Sequence, residues 1–315
     1  MPRSTPSPAI TCVGEAMAVL TPVEEVPLAR ADRFTRTVGG AEFNVALTLA
    51  RFGVPTAWVS RLGDDGFGEH VLHVAREHGV DVSGVEIDPD RPTGLYVKAP
   101  GTAADGSRRS RMHYYRNGSA ASAMTPELLA APAVAALLTG SRTVHVSGIT
   151  PGLSASAGRT CDALADLLRP LPTVLSVDLN HRPALWRDLD DAPLHRLLDA
   201  ADEVLLGEDE AVRVLGTGTA AGVRAALPRA RRILLKAEER GVLVLEPGRP
   251  DLHVPALTVD VVEPVGAGDA FAAGYLAGRH TGLPVPDAVL LGHRCAAATL
   301  VVRGDQPRQL PEPVA

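Results

Sequence analysis

The sequence has few cysteines, no long apolar run and no excess of basic residues, and each shortage excludes something. Its three cysteines, Cys12, Cys161 and Cys295, are odd in number and far apart. That argues against a disulfide framework or a zinc ribbon and favours buried free thiols. No apolar stretch approaches the ~20 residues needed to cross a bilayer, and the opening Met1-Pro2-Arg3-Ser4-Thr5-Pro6-Ser7-Pro8 run has no apolar core of a signal sequence. A cytoplasmic protein with no membrane partner is the expectation. The formal net charge of -6 leaves no broad cationic surface for nucleic acid, so anionic ligands must be held by local arginines. There is also no early Gly-x-Gly-x-x-Gly fingerprint, no Walker lysine, no internal repeat and no low-complexity tract beyond the first eight or so residues.

What is present reads as α/β. With 45% hydrophobic and 22% charged residues the chain can bury a full core. Residues 10–20 read as an apolar strand, 41–52 as a helix ended by Gly53, and 57–62 as a second strand. The alternation returns with a helix at 71–78 ended by Gly79, strands at 143–147 and 173–179, and a helix at 157–168. Further strands are expected at 203–206, 233–235 and 241–245, with a helix at 269–277. Strands alternating with helices predict a mostly parallel sheet covered on both faces. Segments 21–38 and 93–116 break this rhythm and read as a strand-built lid, suited to excluding water from a reacting group. We expect a tail at residues 1–9 and one main domain over 10–315.

The chemistry is carried by Pro264-Val265-Gly266-Ala267-Gly268-Asp269-Ala270-Phe271, which follows the β-rich run 257–262 and opens a small-residue helix. Gly266 and Gly268 let a ligand approach the backbone, and the free N–H groups and dipole of a helix start favour a phosphate. A carboxylate at such an anion site is costly unless it moves protons, which makes Asp269 the candidate base. A plain tight turn with Asp269 as helix cap is the alternative.

The Gly-Ala-Gly-Asp-Ala-Phe run resembles the signature of the ribokinase-like sugar kinases, the phosphofructokinase-B family. Gly39-Gly40-Ala41-Glu42-Phe43-Asn44-Val45-Ala46 and Arg61-Leu62-Gly63-Asp64-Asp65-Gly66-Phe67-Gly68 are similar to its N-terminal signature. The resemblance spans residues 10–310 and implies a three-layer α/β/α fold with a small β-strand lid. It further implies that Gly39, Gly40 and Asn44 meet sugar hydroxyls, and that the amides of Gly266, Ala267 and Gly268 stabilise the phosphoryl in flight. For the Gly63-Asp64-Asp65-Gly66 cluster, a turn and helix cap is the simpler expectation.

The basic and aromatic stretch 108–122 suggests an acidic sugar. Tyr114 and Arg116 fall on one strand face, and a guanidinium can grip a carboxylate through two hydrogen bonds. Arg108, Arg109 and Arg111 read as a solvated strand edge. Tyr114-Tyr115-Arg116, Thr93-Gly94-Leu95-Tyr96 and Asp178-Leu179-Asn180-His181-Arg182-Pro183-Ala184-Leu185-Trp186 look like the 2-keto-3-deoxygluconate kinase branch of the family. By that analogy Tyr96, Tyr114, Arg116, Arg182, Asp269 and Asp305 meet the sugar. ATP is met by Asn180, Arg182, Lys236, Glu239, Gly241, Gly266 and Gly268, and Glu210 helps hold Mg2+ through water. Gly207 stands where relatives carry an asparagine. Glu263-Pro264 replaces an Asp-Thr pair, so no bound potassium is implied. The reaction implied is transfer of phosphate from ATP to the terminal hydroxyl of the acidic sugar. A neutral-ketose kinase, or a silent sugar- or nucleotide-binding regulator of the same fold, is the alternative, and pairing of subunits through the lid is expected.

Overall fold

The computed structural model describes residues 8–24, 26–102, 108–302, 304, 306, 307 and 309–311. Asp305 and most of the expected N-terminal tail lie outside them. Ala9, within that tail segment, is buried and donates its N–H to the Pro55 carbonyl at 2.8 Å. The first half of the chain forms β1 (Ile10–Val13), β2 (Met17–Pro22), β3 (Phe34–Gly39), α1 (Ala41–Arg51), β4 (Thr56–Gly63), α2 (Gly66–Glu77), β5 (Asp81–Asp88), β6 (Gly94–Thr102) and β7 (Arg108–Tyr115). The second half begins with α3 (Pro126–Ala130), α4 (Pro132–Gly140), β8 (Thr143–Ser147), α5 (Ala155–Leu168), β9 (Val174–Asp178) and α6 (Ala192–Ala200). It continues with β10 (Glu203–Gly207), α7 (Glu208–Leu215), α8 (Ala220–Ala226), β11 (Arg232–Lys236), β12 (Val242–Leu245), β13 (Leu252–Val254), α9 (Ala267–His280) and α10 (Val285–Leu300).

The larger sheet runs β13-β12-β11-β10-β9-β8-β1-β4-β5, parallel from β11 through β5, with β12 antiparallel to both its neighbours. Its strands are apolar on both sides because helices cover both faces. Val204 and Leu206 of β10 face a core shared with α3 to α8, while Leu205 between them faces α1, α2, α9 and α10. The result is three layers. The chain winds outward from β1 in one direction through β4 and β5, and in the other through β8 to β11. The β1/β8 boundary is therefore the switch point, where the carboxyl ends of parallel strands open a crevice.

A separate four-stranded sheet has the order β3-β2-β6-β7. One of its strands corrects the sequence reading: residues 10–20 are not one strand. The chain leaves the main sheet after Val13, turns through Gly14-Glu15-Ala16, and enters the small sheet as β2. The apolar run resumes at Ala16 and every residue from Ile10 to Val19 is buried, so composition alone does not mark the break. The run 257–262 is also corrected, because it forms no strand, and Val261 and Val262 are exposed at 60% and 49%. Their side chains have neither partner strand nor core to fit.

Candidate functional site

Strand ends around the switch point bring together residues far apart in sequence. Asp269 lies in the first turn of α9, whose N-cap Gly266 has φ 81 and whose start is capped by no side chain. That separates the two sequence readings: Asp269 does not cap the helix, and the first-turn N–H groups have no intrahelical acceptors. A side-chain atom built at Gly268 would meet nothing within 4 Å among the described residues, so the turn is open to a ligand.

Asp269 is gripped by two amides. Asn44 Nδ2, from α1, donates to its Oδ2 at 2.8 Å, and Asn180 Nδ2, just past β9, donates to Oδ1 at 3.4 Å. Gln306 Nε2 in turn donates to Asn44 Oδ1 at 3.3 Å. Asn180 holds a left-handed backbone with φ 38, a conformation asparagine tolerates better than most residues. Burial pushes the Asp269 carboxyl up to about 7, opposed by the Asn44 hydrogen bond and reinforced by the Asp178 charge. A carboxyl that ionises near pH 7 beside an uncapped helix start is equipped to take a proton.

Of the positions assigned to nucleotide, Asn180 reaches Asp269 directly, and two others differ from the sequence reading. Lys236 was expected in a loop against ATP. It is the last residue of β11, and its ammonium sits 3.0 and 3.1 Å from the two Asp178 oxygens. Gly241, at φ 107, needs its missing side chain for a different reason. A Cβ there would lie 2.8 Å from Ala256 N and Pro255 Cα, so the glycine lets the chain pass behind β13. Glu239 is exposed in the short turn Glu238–Arg240. Arg182 is exposed, with no ion pair among the described residues, and its charge lowers the pKa of both Asp269 and Glu210.

Glu210 caps the start of α7. Its Oε2 accepts from Gly207 N and its Oε1 from His181 N, at 2.8 and 2.9 Å. Both oxygens are thus engaged, and no three His, Cys, Asp or Glu side chains among the described residues are arranged to hold an ion. An all-protein magnesium cage does not fit here. A magnesium ion carried on phosphates and retaining its waters does.

Among the positions assigned to the sugar, Gly40 (φ 142) makes the joint between β3 and α1. Tyr96 and Tyr114 face each other across β6 and β7 with ring centroids 5.4 Å apart, and the Arg116 guanidinium lies 5.8 Å from the Tyr114 ring centre. Arg116 is not a free carboxylate grip. It forms an ion pair with Glu15, a residue only 2% exposed, which also accepts a 2.5 Å hydrogen bond from Ser119 Oγ. Sequence reasoning missed Glu15, whose signal was a glycine-glutamate pair closing an apolar strand. It also missed Asp178 as the partner of Lys236, and Glu42, whose buried carboxylate accepts from Ser147 N, Ser147 Oγ and Thr150 Oγ1. Asp65 accepts from Phe67 N and Gly68 N as the cap of α2. All three cysteines are buried and free. Arg111 is exposed, while the side chains of Arg108 and Arg109 lie outside those described.

Two surface cavities, of about 180 and 250 Å3, lie elsewhere. One is lined by Arg142, Val174 and Glu203 and the other by Thr173, Leu175 and Asp202, residues at the amino ends of strands. Neither holds the convergent groups just described, and parallel sheets bind ligands at the carboxyl ends.

An uncapped helix start and a near-neutral carboxyl at a parallel sheet's switch point define a site for transferring an anionic group. From residue 7 to 313 the chain matches the pfkB family carbohydrate kinase profile, and it belongs to that family: it is a sugar kinase. It is 33% identical to the 2-dehydro-3-deoxygluconokinase of Thermoproteus tenax, over 96% of this chain and 91% of that one. To Fructokinase-1 of Zea mays it is 31% identical, over 85% of this chain and 81% of that one. The crystal structure of a PfkB protein from Polaromonas sp. JS666 matches with a TM-score of 0.81 at 32% identity, covering 92% and 95% of the two chains. No helix among the described residues is long and apolar enough to cross a membrane.

Proposed function

We propose that this kinase transfers the γ-phosphoryl of ATP to the terminal hydroxyl of 2-keto-3-deoxygluconate, giving the 6-phosphate. The observation that carries the chemistry is Asp269, held by Asn44 and Asn180 at an uncapped helix start and pushed up to about 7. The hydroxyl oxygen attacks phosphorus, its proton passes to an Asp269 oxygen, and the bond from phosphorus to the ADP oxygen breaks. Amides of Gly266, Ala267 and Gly268 meet the charge spread over the phosphoryl oxygens. Arg182 and Lys236 supply positive charge along the nucleotide side, with Asn180, Glu239 and Gly241 along its course. Magnesium would arrive with the triphosphate and neutralise its charge, and Glu210 would meet it only through water.

For the sugar, the reading assigns Gly39, Gly40 and Asn44 to hydroxyls, and Tyr96, Tyr114 and Arg116 to the carboxylate end. Asp305 keeps its assignment on resemblance alone. The small sheet serves as a lid, and its two open edge strands, β3 and β7, support pairing of subunits through it.

A second reading is favoured by one observation. Glu15 cancels the charge of Arg116, and a neutralised guanidinium selects an acid less strongly, which suits a neutral ketose such as fructose. An ADP-release assay over a panel of sugars decides between them. The acidic sugar is expected to give the highest kcat/KM, and Arg116→Ala to lose it by about 10-fold or more, as removal of a charged hydrogen bond would, while sparing fructose. An equal loss for both sugars sinks the acidic-sugar reading. Asp269→Asn should lower kcat by roughly 10²- to 10⁴-fold with every substrate, and unchanged turnover in that variant would overturn the mechanism.

A further inference from the structure

Glu263 immediately precedes the Pro264–Gly268 turn, is only 6% exposed, and takes no part in the cluster around Asp269. Its partners lie on the small sheet. Ser110 Oγ donates to Glu263 Oε2 at 2.6 Å, and the buried Lys98 ammonium lies 3.4 Å from the same oxygen. Lys98 is on β6 and Ser110 on β7, where the pairs Tyr96–Tyr114, Lys98–Met112 and Pro100–Ser110 alternate along the ladder. A strand's side chains change face at every residue, so Lys98 and Ser110 share the face that carries Tyr96 and Tyr114. Behind the turn, the N–H groups of Val262 and Glu263 both donate to the Leu300 carbonyl at the end of α10, at 2.8 and 3.1 Å. Glu263 is therefore fixed by its main chain to α10 and by its side chain to the small sheet.

The segment gains little rigidity from its own structure. Residues 255–264 form no helix or strand, and inside the turn the one main-chain bond, from Ala267 N to Pro264 O, is long at 3.4 Å. Removing a carboxylate and an ammonium from water is a poor way to gain stability, since an apolar pair would commonly do as well or better. What a buried ionic pair with an added hydroxyl supplies is direction.

We infer that Glu263 is a positioning residue: through Lys98 and Ser110 it ties the turn whose amides receive the phosphoryl to the sheet that carries the sugar-facing tyrosines. The inference rests on the proposed kinase mechanism and says how its two halves are kept in register. In-line transfer demands such registration, because a misplacement of about 1 Å can cost on the order of 10²-fold in rate. Sugar seated against the small sheet is then aligned with the turn by the same three side chains.

Two measurements test this. In Glu263→Gln, kcat should fall by roughly 10- to 100-fold, with KM for sugar and for ATP within about threefold of the parent. Lys98→Met should do the same, and the double variant should be no worse than either single one, as expected of residues acting as a unit. A parental kcat in folded Glu263→Gln, a loss confined to KM, or losses that multiply in the double variant would each overturn the inference. Independently of turnover, hydrogen exchange of the unliganded protein should speed up by about tenfold or more at the amides of residues 265–270, with β8 to β10 unchanged. Unaltered exchange there also overturns it. Should Glu263→Gln fail to fold, Ser110→Ala, which removes one hydroxyl, is read by the same exchange experiment. A parent protein that phosphorylates no sugar would refute the proposed function, while the exchange result still judges the tie.

Discussion

At the residue scale, the protonation of Asp269 governs what the site can do. As a base it works only when ionised, and burial has moved its ionisation to about 7. The kcat/KM for the sugar should therefore rise with pH through about 7 and flatten above it, a profile that Asp269→Asn abolishes. A flat profile from pH 5 to 8 would remove the base from this position. The sign for stability is opposite. The folded state holds the Asp269 proton more tightly than an unfolded chain does, so this group's contribution favours folding at low pH and is lost as pH rises through about 7. Asp269→Asn should accordingly raise the midpoint of thermal unfolding at pH 8 relative to the parent, more than it does at pH 5. Asp269 was legible from its glycine-flanked helix start, whereas its raised pKa was not. The shift comes first from burial by the folded chain, with the charges of Asp178 and Glu42 adding to it against the Asn44 hydrogen bond and the Arg182 charge.

At the scale of elements, the joints decide which strands face the crevice. Gly40 is the clearest case. With φ 142 it occupies backbone space closed to ordinary residues, and a Cβ there would lie 3.0 Å from Ala16 Cα and collide with the Glu15 carbonyl. Gly40→Ala should cost about 1–3 kcal/mol of stability, read by urea unfolding, and should raise the sugar KM by moving the start of α1 and Asn44. A stability within 0.5 kcal/mol of the parent, the usual effect of a surface change, would show that the joint carries no strain. The helices and strands around such joints were mostly readable from periodicity and from glycines such as Gly53 and Gly79, both at positive φ. The split between β1 and β2 was hidden, because the turn is as buried as the apolar strands on either side of it.

For the whole molecule, the question is how the small sheet finishes its edges. Among the described residues, β3 and β7 each have one unpaired edge, Phe34 to Thr37 are exposed, and Tyr115 is 61% exposed. Sedimentation at micromolar concentration is expected to give a dimer, and a charge introduced on β3, such as Thr35→Glu, should shift it toward monomer. A monomer at every concentration would exclude pairing through this sheet.

Local rules sufficed for much of this protein. Alternating strands and helices, a second set of irregular strands, and two glycine-rich joints specified a parallel three-layer fold, because helix and strand periods, turn glycines and uncapped helix starts act over a few residues. Electrostatic pairing was settled only in three dimensions. That Arg116 is neutralised by Glu15, that Lys236 is held by Asp178, and that Glu263 is tied to Lys98 and Ser110 follows from chain segments brought together by folding. A charge reads the same in a sequence whether it is free or paired, and only the fold brings its partner within reach.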